Sequence, residues 1–291
     1  MIGIKEFNKK IASLKNTRKL TTTMKMVSAS KFKKAFKAQT NAQAYSQKLN
    51  DLIKRLSLPT NHPLIKQKAD APKILVVLFT SDKGLCGGFN NNLIRKTRSW
   101  ISDLPAQGPQ VDMSFCGRRG YMSFRRSAPI NKYYEHITVK PDFSQAFTLA
   151  QDITDLFMKG QYKEIYLAYN RFKGPLSQVP CIEKILPLDL SEIVTKEGPL
   201  DKADQARGYS YEPPEEEIFA FLIPKFLNFK VFYILLENAA GEHGARMSAM
   251  DKASQNTADL IDRYIMRRNR ARQAGITTEL NEIISGAEAI K

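Results

Sequence analysis

Cysteine, histidine and tryptophan are scarce, at three, three and one in 291 residues. Cys86, Cys116 and Cys181 lie far apart with no CxxC spacing, which argues against a disulfide framework or a zinc site and fits a reduced compartment. His62, His136 and His243 are scattered, without the carboxylate spacing of a metal centre or a triad, and read as surface or satisfied histidines. The N-terminus, MIGIKEFNKK, lacks the apolar stretch of a signal peptide. The longest uninterrupted apolar run, Val231–Leu236, is far too short to cross a bilayer. A soluble chain, at most peripheral to a membrane, is expected.

Acidic residues are nearly missing from the first sixty positions, where 14 Lys and Arg face only Glu6 and Asp51. That segment owns +12 of the overall +16, whereas residues 238–291 carry only +1. A local excess of this size points to an acidic partner, be it nucleic acid, an anionic membrane or an acidic protein surface, or else to a solvated helix face. A second cluster, Arg263, Arg267, Arg268, Arg270 and Arg272, is denser than solubility requires. Base-stacking aromatics are not interleaved with these charges, which weighs against nucleic acid without excluding it.

Hydrophobic residues make up 43% of the chain, enough for a substantial core. No Gly or Pro interrupts residues 4–58, and Ile4, Phe7, Ile11 and Leu14 recur at the three-four spacing of a coiled-coil seam. One helix running to the stop signals Pro59 and Pro63 would be roughly 80 Å long. Arg18 and Thr21 interrupt its seam where apolar residues are due. From about residue 213 the chain becomes helical again, with Pro213 and Pro214 suited to a first turn, Glu215, Glu216 and Glu217 opposing the helix dipole, and a kink expected at Pro224. Met250, Ala253, Thr257, Leu260 and Tyr264 predict one seam there, and Ile276, Leu280, Ile283, Ala287 and Ile290 another. About 75 residues at helical rise give on the order of 110 Å.

Between these ends, KILVVLFT (73–80), VDMSFC (111–116) and EIYLAYN (164–170) read as strands buried on both faces, with helices around 91–103 and 143–159. The expected fold class is therefore α/β with a long antiparallel coiled coil. An N-terminal coiled-coil helix (1–60) and a C-terminal one (213–291) flank a globular, largely parallel α/β domain (61–212). Small residues at Ala239, Ala240, Gly241, Gly244, Ala245 and Ala249 would let the paired backbones approach closely, and the longer helix would outrun the shorter.

SDKGLCGGFNNN (81–92) follows a strand and precedes a helix, where phosphate loops occur. It has neither the GxxxxGK[ST] nor the GxGxxG pattern, and Lys83 comes before the glycines instead of after them. A tight structural turn is the better reading, with a nucleotide-binding enzyme as the alternative that an ATP titration would decide. A DNA-binding coiled coil remains the other alternative, with steep salt dependence as its mark.

Three segments resemble the gamma-subunit family of F-type ATP synthases: KNTRKLTTTMKMVSASKFKKA (15–35), SDKGLCGGFN (81–90), and ENAAGEHGARMSAMDKASQN (237–256) with NRARQAGITTELNEIISGAEAI (269–290). RRN at 267–269 stands where the family has an aromatic-Asn pair. The resemblance implies a Rossmann-like α/β domain between paired terminal helices, no catalytic site, no cofactor and no metal. It also implies a rotor shaft inside a hexamer of alpha and beta subunits, turned by a proton-driven membrane c-ring and accompanied by an epsilon subunit, with no nucleic-acid partner. By similarity, Arg272 and Gln273 belong to a catch on the beta subunit, and Met24 faces its acidic lever. Tyr209, Tyr211 and Glu212 are candidates for the membrane ring, while Ile283, Ile284, Ala287 and Ile290 form an apolar bearing tip. A place on the cytoplasmic face of a bacterial inner membrane is implied as well.

Overall fold

A computed structural model describes residues 3–55, 62–65, 71, 73–105, 108–188 and 212–288. Five helices are described: α1 (Ile4–Arg55), α2 (Phe89–Ser102), α3 (Arg118–Phe124), α4 (Phe143–Met158) and α5 (Glu215–Glu288). Five strands accompany them: β1 (Lys73–Phe79), β2 (Gln110–Cys116), β3 (Ile130–Tyr134), β4 (Glu164–Gly174) and β5 (Ser177–Leu186). The chain divides into two compact units, a coil unit of residues 1–28 with 246–291 and a sheet unit of residues 29–245.

The sheet unit is built on β1. KILVVLF runs without a polar break because it lies between two parallel neighbours, β2 and β4, and is covered on both faces. Side chains alternate across a strand. Ile74, Val76 and Leu78 accordingly pack with Leu93 of α2 and Phe124 of α3 on one face. Leu75, Val77 and Phe79 pack on the other with Leu149, Ile153 and Phe157 of α4 and Phe219, Val231 and Leu235 of α5. The strand order is β3-β2-β1-β4-β5, parallel except for the β4–β5 hairpin. The Asp142 side chain accepts the Ser144 N–H at 3.1 Å and caps α4, the usual role of Asp at a helix start.

β3, β5 and the seven-residue α3 do not stand out in the sequence. The two strands are sheet edges, so each lacks the continuous apolar run of a central strand. Pro180 interrupts β5 and is tolerated because one side of an edge strand has no ladder to join; its carbonyl instead accepts Lys96 Nζ at 2.8 Å.

In this unit the second half of α1 pairs with the first part of α5. Gln39 Nε2 donates to Tyr233 Oη at 2.8 Å, the Tyr45 and Phe229 rings lie 4.4 Å apart, and Leu49 and Ile53 enter the core. α5 contains, within Glu217–Ala287, an 18-residue window of mean hydropathy 1.7, long and apolar enough to cross a membrane. The uninterrupted run Val231–Leu236 understates this. Packing accounts for the apolarity, because Phe219, Ile223, Leu227, Val231, Ile234 and Leu235 are buried in the core of the sheet unit. The helix assignment continues through Pro224.

The coil unit is an antiparallel pair. Phe7 meets Tyr264 (ring centroids 6.3 Å apart), Arg268 donates to Asn8 Oδ1 at 3.4 Å, Thr22 and Ser254 hydroxyls lie 3.0 Å apart, and Lys25 Nζ is 2.6 Å from Asp251 Oδ1. Phe7 and Ile11 are buried as the seam predicts, whereas Ile4 is exposed at the fraying start. The α5 seam differs from expectation by one residue. Leu260 is 40% exposed and Ile261 only 6%, so the seam runs through Met250, Ser254, Thr257, Ile261 and Tyr264. The cause is the coiled-coil alternation of four and three, which places 250, 257 and 264 on one row and 254 and 261 on the other. Ile261→Ala is expected to destabilise the coil unit by about 2 kcal/mol and Leu260→Ala by under about 0.5 kcal/mol. Chemical denaturation of the two variants checks this, and equal losses would contradict the assigned phase.

Candidate functional site

The order β3-β2-β1-β4 reverses direction between β1 and β4, the place where open α/β sheets hold ligands beyond their strand ends. The segment 80–90 lies there, and several of its polar groups bond within the segment or to the start of α3. Ser81 N–H donates to Asn90 Oδ1 at 2.9 Å, and Asn90 Nδ2 donates to Ser81 Oγ at 2.7 Å. Ser81 Oγ donates to the Lys83 carbonyl at 2.6 Å, and Asp82 Oδ1 accepts the Arg118 N–H at 2.8 Å. The Gly120 N–H donates to Thr80 Oγ1 at 2.8 Å, which stitches the start of α3 to the end of β1.

The crevice itself is filled by α5. Asn238 Nδ2 reaches the Thr80 carbonyl at 3.5 Å, and Asn170 Nδ2 donates to the Phe89 carbonyl at 3.0 Å. A side chain on Gly241 would meet Phe89 at 3.0 Å and Gln178 at 3.3 Å, and one on Gly244 would meet Pro175 at 3.0 Å and Phe32 at 3.4 Å. The small residues of α5 therefore serve more than helix-to-helix approach, since they also admit the β4–β5 hairpin and the start of α2. The glycine-rich segment is a structural turn that seats α5.

Beside this contact lies a partly buried ionic cluster that the sequence alone does not reveal. Tyr169 Oη donates to Glu183 Oε2 at 2.7 Å, Lys230 Nζ is 3.0 Å from Glu183 Oε1, and Arg171 approaches the same carboxylate at 3.4 Å. Burial raises the Glu183 carboxyl, but Lys230, Tyr169 and Arg171 outweigh it and the net shift is downward. Glu237, about two helical turns past Lys230 on α5, is 6% exposed. Burial pushes its carboxyl up to about 7, opposed only in part by Arg171, Lys230 and the Phe172 N–H. The signal available in the sequence was a carboxylate inside the apolar and small stretch LLENAAG.

Met24 is half-buried on α1, beside the Thr22–Ser254 and Lys25–Asp251 contacts. Arg272 and Gln273 are exposed on α5 past Asn8–Arg268, the last cross-helix contact among the described residues. The twenty-odd residues of α5 between Asp251 and Arg272 put these two places roughly 30 Å apart along the helix. Ile283, Ile284 and Ala287 are exposed, as are Ile276 and Leu280. Glu212 is exposed immediately before Pro213. Tyr209, Tyr211 and Ile290 lie outside the described residues. Among the described residues no group of His, Cys, Asp and Glu is arranged to hold a metal ion.

The family model described as ATP synthase matches residues 3–290. ATP synthase gamma chains of Trichlorobacter lovleyi and Rhodospirillum rubrum are each 38% identical to this chain, with both partners covered over their full length. Among solved structures, a chain from the central stalk and c-ring of the Tetrahymena thermophila mitochondrial ATP synthase is 25% identical, with a TM-score of 0.55 over 81% of this chain and 99% of its own length. A chain of the Euglena gracilis mitochondrial ATP synthase, 20% identical with a TM-score of 0.67, shares the fold over 99% of this chain and 94% of its own. An antiparallel helical pair, a sheet whose ligand crevice is closed by its own helix, and end-to-end identity with named gamma chains converge: this chain belongs to the ATP synthase gamma-chain family.

Proposed function

We propose that three segments divide the work of this gamma chain, with residues 1–60 and 213–291 as the coiled shaft and 61–212 as the globular part. A gamma chain is the rotor shaft of the central stalk. It couples proton-driven rotation of the membrane ring to ATP synthesis at catalytic sites that other subunits hold, and the rotation reverses on hydrolysis. In the finer assignment, alpha and beta subunits surround the coil, Arg272 and Gln273 catch a beta-subunit loop, and Met24 meets its acidic lever. Ile283, Ile284, Ala287 and Ile290 turn in an apolar bearing, Tyr209, Tyr211 and Glu212 reach the c-ring, and an epsilon subunit completes the stalk. The complex sits peripherally on the cytoplasmic face of a bacterial inner membrane.

One observation carries this reading: from Arg272 to Ala287 every residue of α5 is exposed, including Ile276, Leu280, Ile283 and Ile284. A helix end with apolar side chains that no other described residue covers is suited to a partner outside the chain. Charge suits the same role, because exposed ion pairs contribute only about 0–1 kcal/mol each, so a basic shaft can pass successive acidic neighbours without adhering. Arg272→Ala with Gln273→Ala is expected to lower ATP turnover of the complex reconstituted with alpha and beta subunits roughly fivefold, equivalent to about 1 kcal/mol in the transition state. The isolated chain should melt unchanged. Full turnover in the double variant would refute the catch.

A further inference from the structure

The sheet unit carries a third concentration of positive charge, one that the shaft role leaves unused. Between residues 95 and 126 there are seven Lys and Arg against two acids, Asp103 and Asp112. Asp112 is buried and engaged by Lys73 at 3.1 Å. Arg118 and Met122 lie one turn apart on α3, away from the buried Gly120 and Phe124, and Arg125 and Arg126 follow in the turn that ends the helix. All four are exposed, as is Arg119 beside them. Arg98 of α2 is tied to this helix, with NH2 donating to the Ser123 carbonyl at 3.4 Å and its guanidinium 5.3 Å from the centre of the Phe124 ring. Among the described residues no carboxylate pairs with Arg98, Arg118, Arg119, Arg125 or Arg126. Asp82, beside the start of α3, accepts the Arg118 N–H and lies 3.5 Å from His136.

We propose that the exposed α2–α3 face of the sheet unit is a contact surface for the phosphate groups of anionic phospholipids. Arginine presents a planar fork that matches phosphate with two hydrogen bonds, and five guanidiniums without a carboxylate partner, on α2, α3 and the turn after it, form a multivalent cationic surface. A protein interface of ordinary size needs an apolar, shape-matched centre. The described residues of α2 and α3 expose one large apolar side chain, Met122, which suits a headgroup layer better than a protein groove. The choice of lipid rests on the membrane setting of the stalk reading, whereas the charge array itself does not.

The test uses the complex reconstituted with alpha and beta subunits, sedimented with vesicles of phosphatidylcholine alone or with about 30% phosphatidylglycerol at about 0.1 M salt. Binding to the anionic vesicles only is expected, weakening as salt rises. Arg118→Gln, Arg119→Gln, Arg125→Gln and Arg126→Gln together should weaken it at least about tenfold, and the Arg125→Gln, Arg126→Gln pair by an intermediate factor, with melting and ATPase stimulation unchanged. Lys5→Gln with Lys9→Gln and Lys10→Gln on α1 should leave it within about twofold of the parent. Equal binding by parent and quadruple variant overturns the proposal, as does a parent that ignores anionic vesicles; capture of soluble polyglutamate by this face would then assign it to an acidic protein. Preserved ATPase stimulation in either case leaves the stalk reading standing, and its absence in the parent strikes that reading instead.

Discussion

Gly117→Ala is expected to cost at least about 4 kcal/mol and to lower the melting temperature of the chain by roughly 10 °C. Gly117 stands between β2 and α3 with φ at 106°, a region closed to side-chain-bearing residues. A Cβ there would lie 2.6 Å from the Thr80 carbonyl carbon and 2.8 Å from its Oγ1, and closer still to the carbonyl oxygen. These are backbone and buried atoms of β1's end, so no flexible tip can move aside. Thr80 also accepts from Asn238 of α5 and from the Gly120 N–H, and a displaced Thr80 would loosen the seating of α5 as well. Gly160→Ala provides the control, because Gly160 also has positive φ (70°) but open space around its Cβ position. It should cost about 1 kcal/mol. Thermal melts of both variants decide the matter, and similar losses would show that conformation, not the clash at Thr80, sets the cost.

The second large effect is pH-dependent. Glu237 has its carboxyl raised to about 7 by burial, against an ordinary value of 4.5. The folded state therefore holds this proton more tightly than the unfolded state does. The associated stability is fully present below about pH 4.5 and is lost as pH rises through about 7, which amounts to about 3 kcal/mol at pH 8. Glu237→Gln is expected to flatten stability across that window and to leave the chain more stable than the parent at pH 8 by up to this amount. Glu183 behaves in the opposite sense: its net downward shift contributes stability above its ordinary pKa that disappears as pH falls through the lowered value. Denaturant titrations of the parent and Glu237→Gln between pH 5 and 8 separate the two, since Glu183 is already ionised there and the His62 imidazole, pushed down by burial, is common to both. A parent–variant difference that is level over this range would contradict the burial argument.

Elements with a repeating pattern were legible from residues alone. The three-four spacing of α1, the unbroken KILVVLF of β1 and the alternating α/β middle each state how much of the element is buried, and burial follows from periodicity. The motifs at 15–35, 81–90 and 237–290 carried the family. What escaped shares one physical trait: the information lies in a partner distant in sequence. β3 and β5 are half-covered edges, and α3 is two turns long, so none builds a pattern against background. Glu237 sits among apolar residues, yet its titration near neutrality comes from burial in the packed sheet unit, which Arg171 of β4 and Lys230 of α5 offset only in part.

The same division separates what the sequence determined by itself from what the tertiary structure decided. Sequence determined that both ends are helical and pair antiparallel, that the middle is a mostly parallel sheet, and that α5 continues beyond α1's reach, because each follows from local periodicity and element length. Tertiary structure decided that Ile261 instead of Leu260 faces inward, that Gly241 and Gly244 receive a hairpin and Phe89, and that the crevice at the end of β1 is occupied by the protein's own helix. A pattern along the chain reports that a face is covered; only the packed molecule specifies by what.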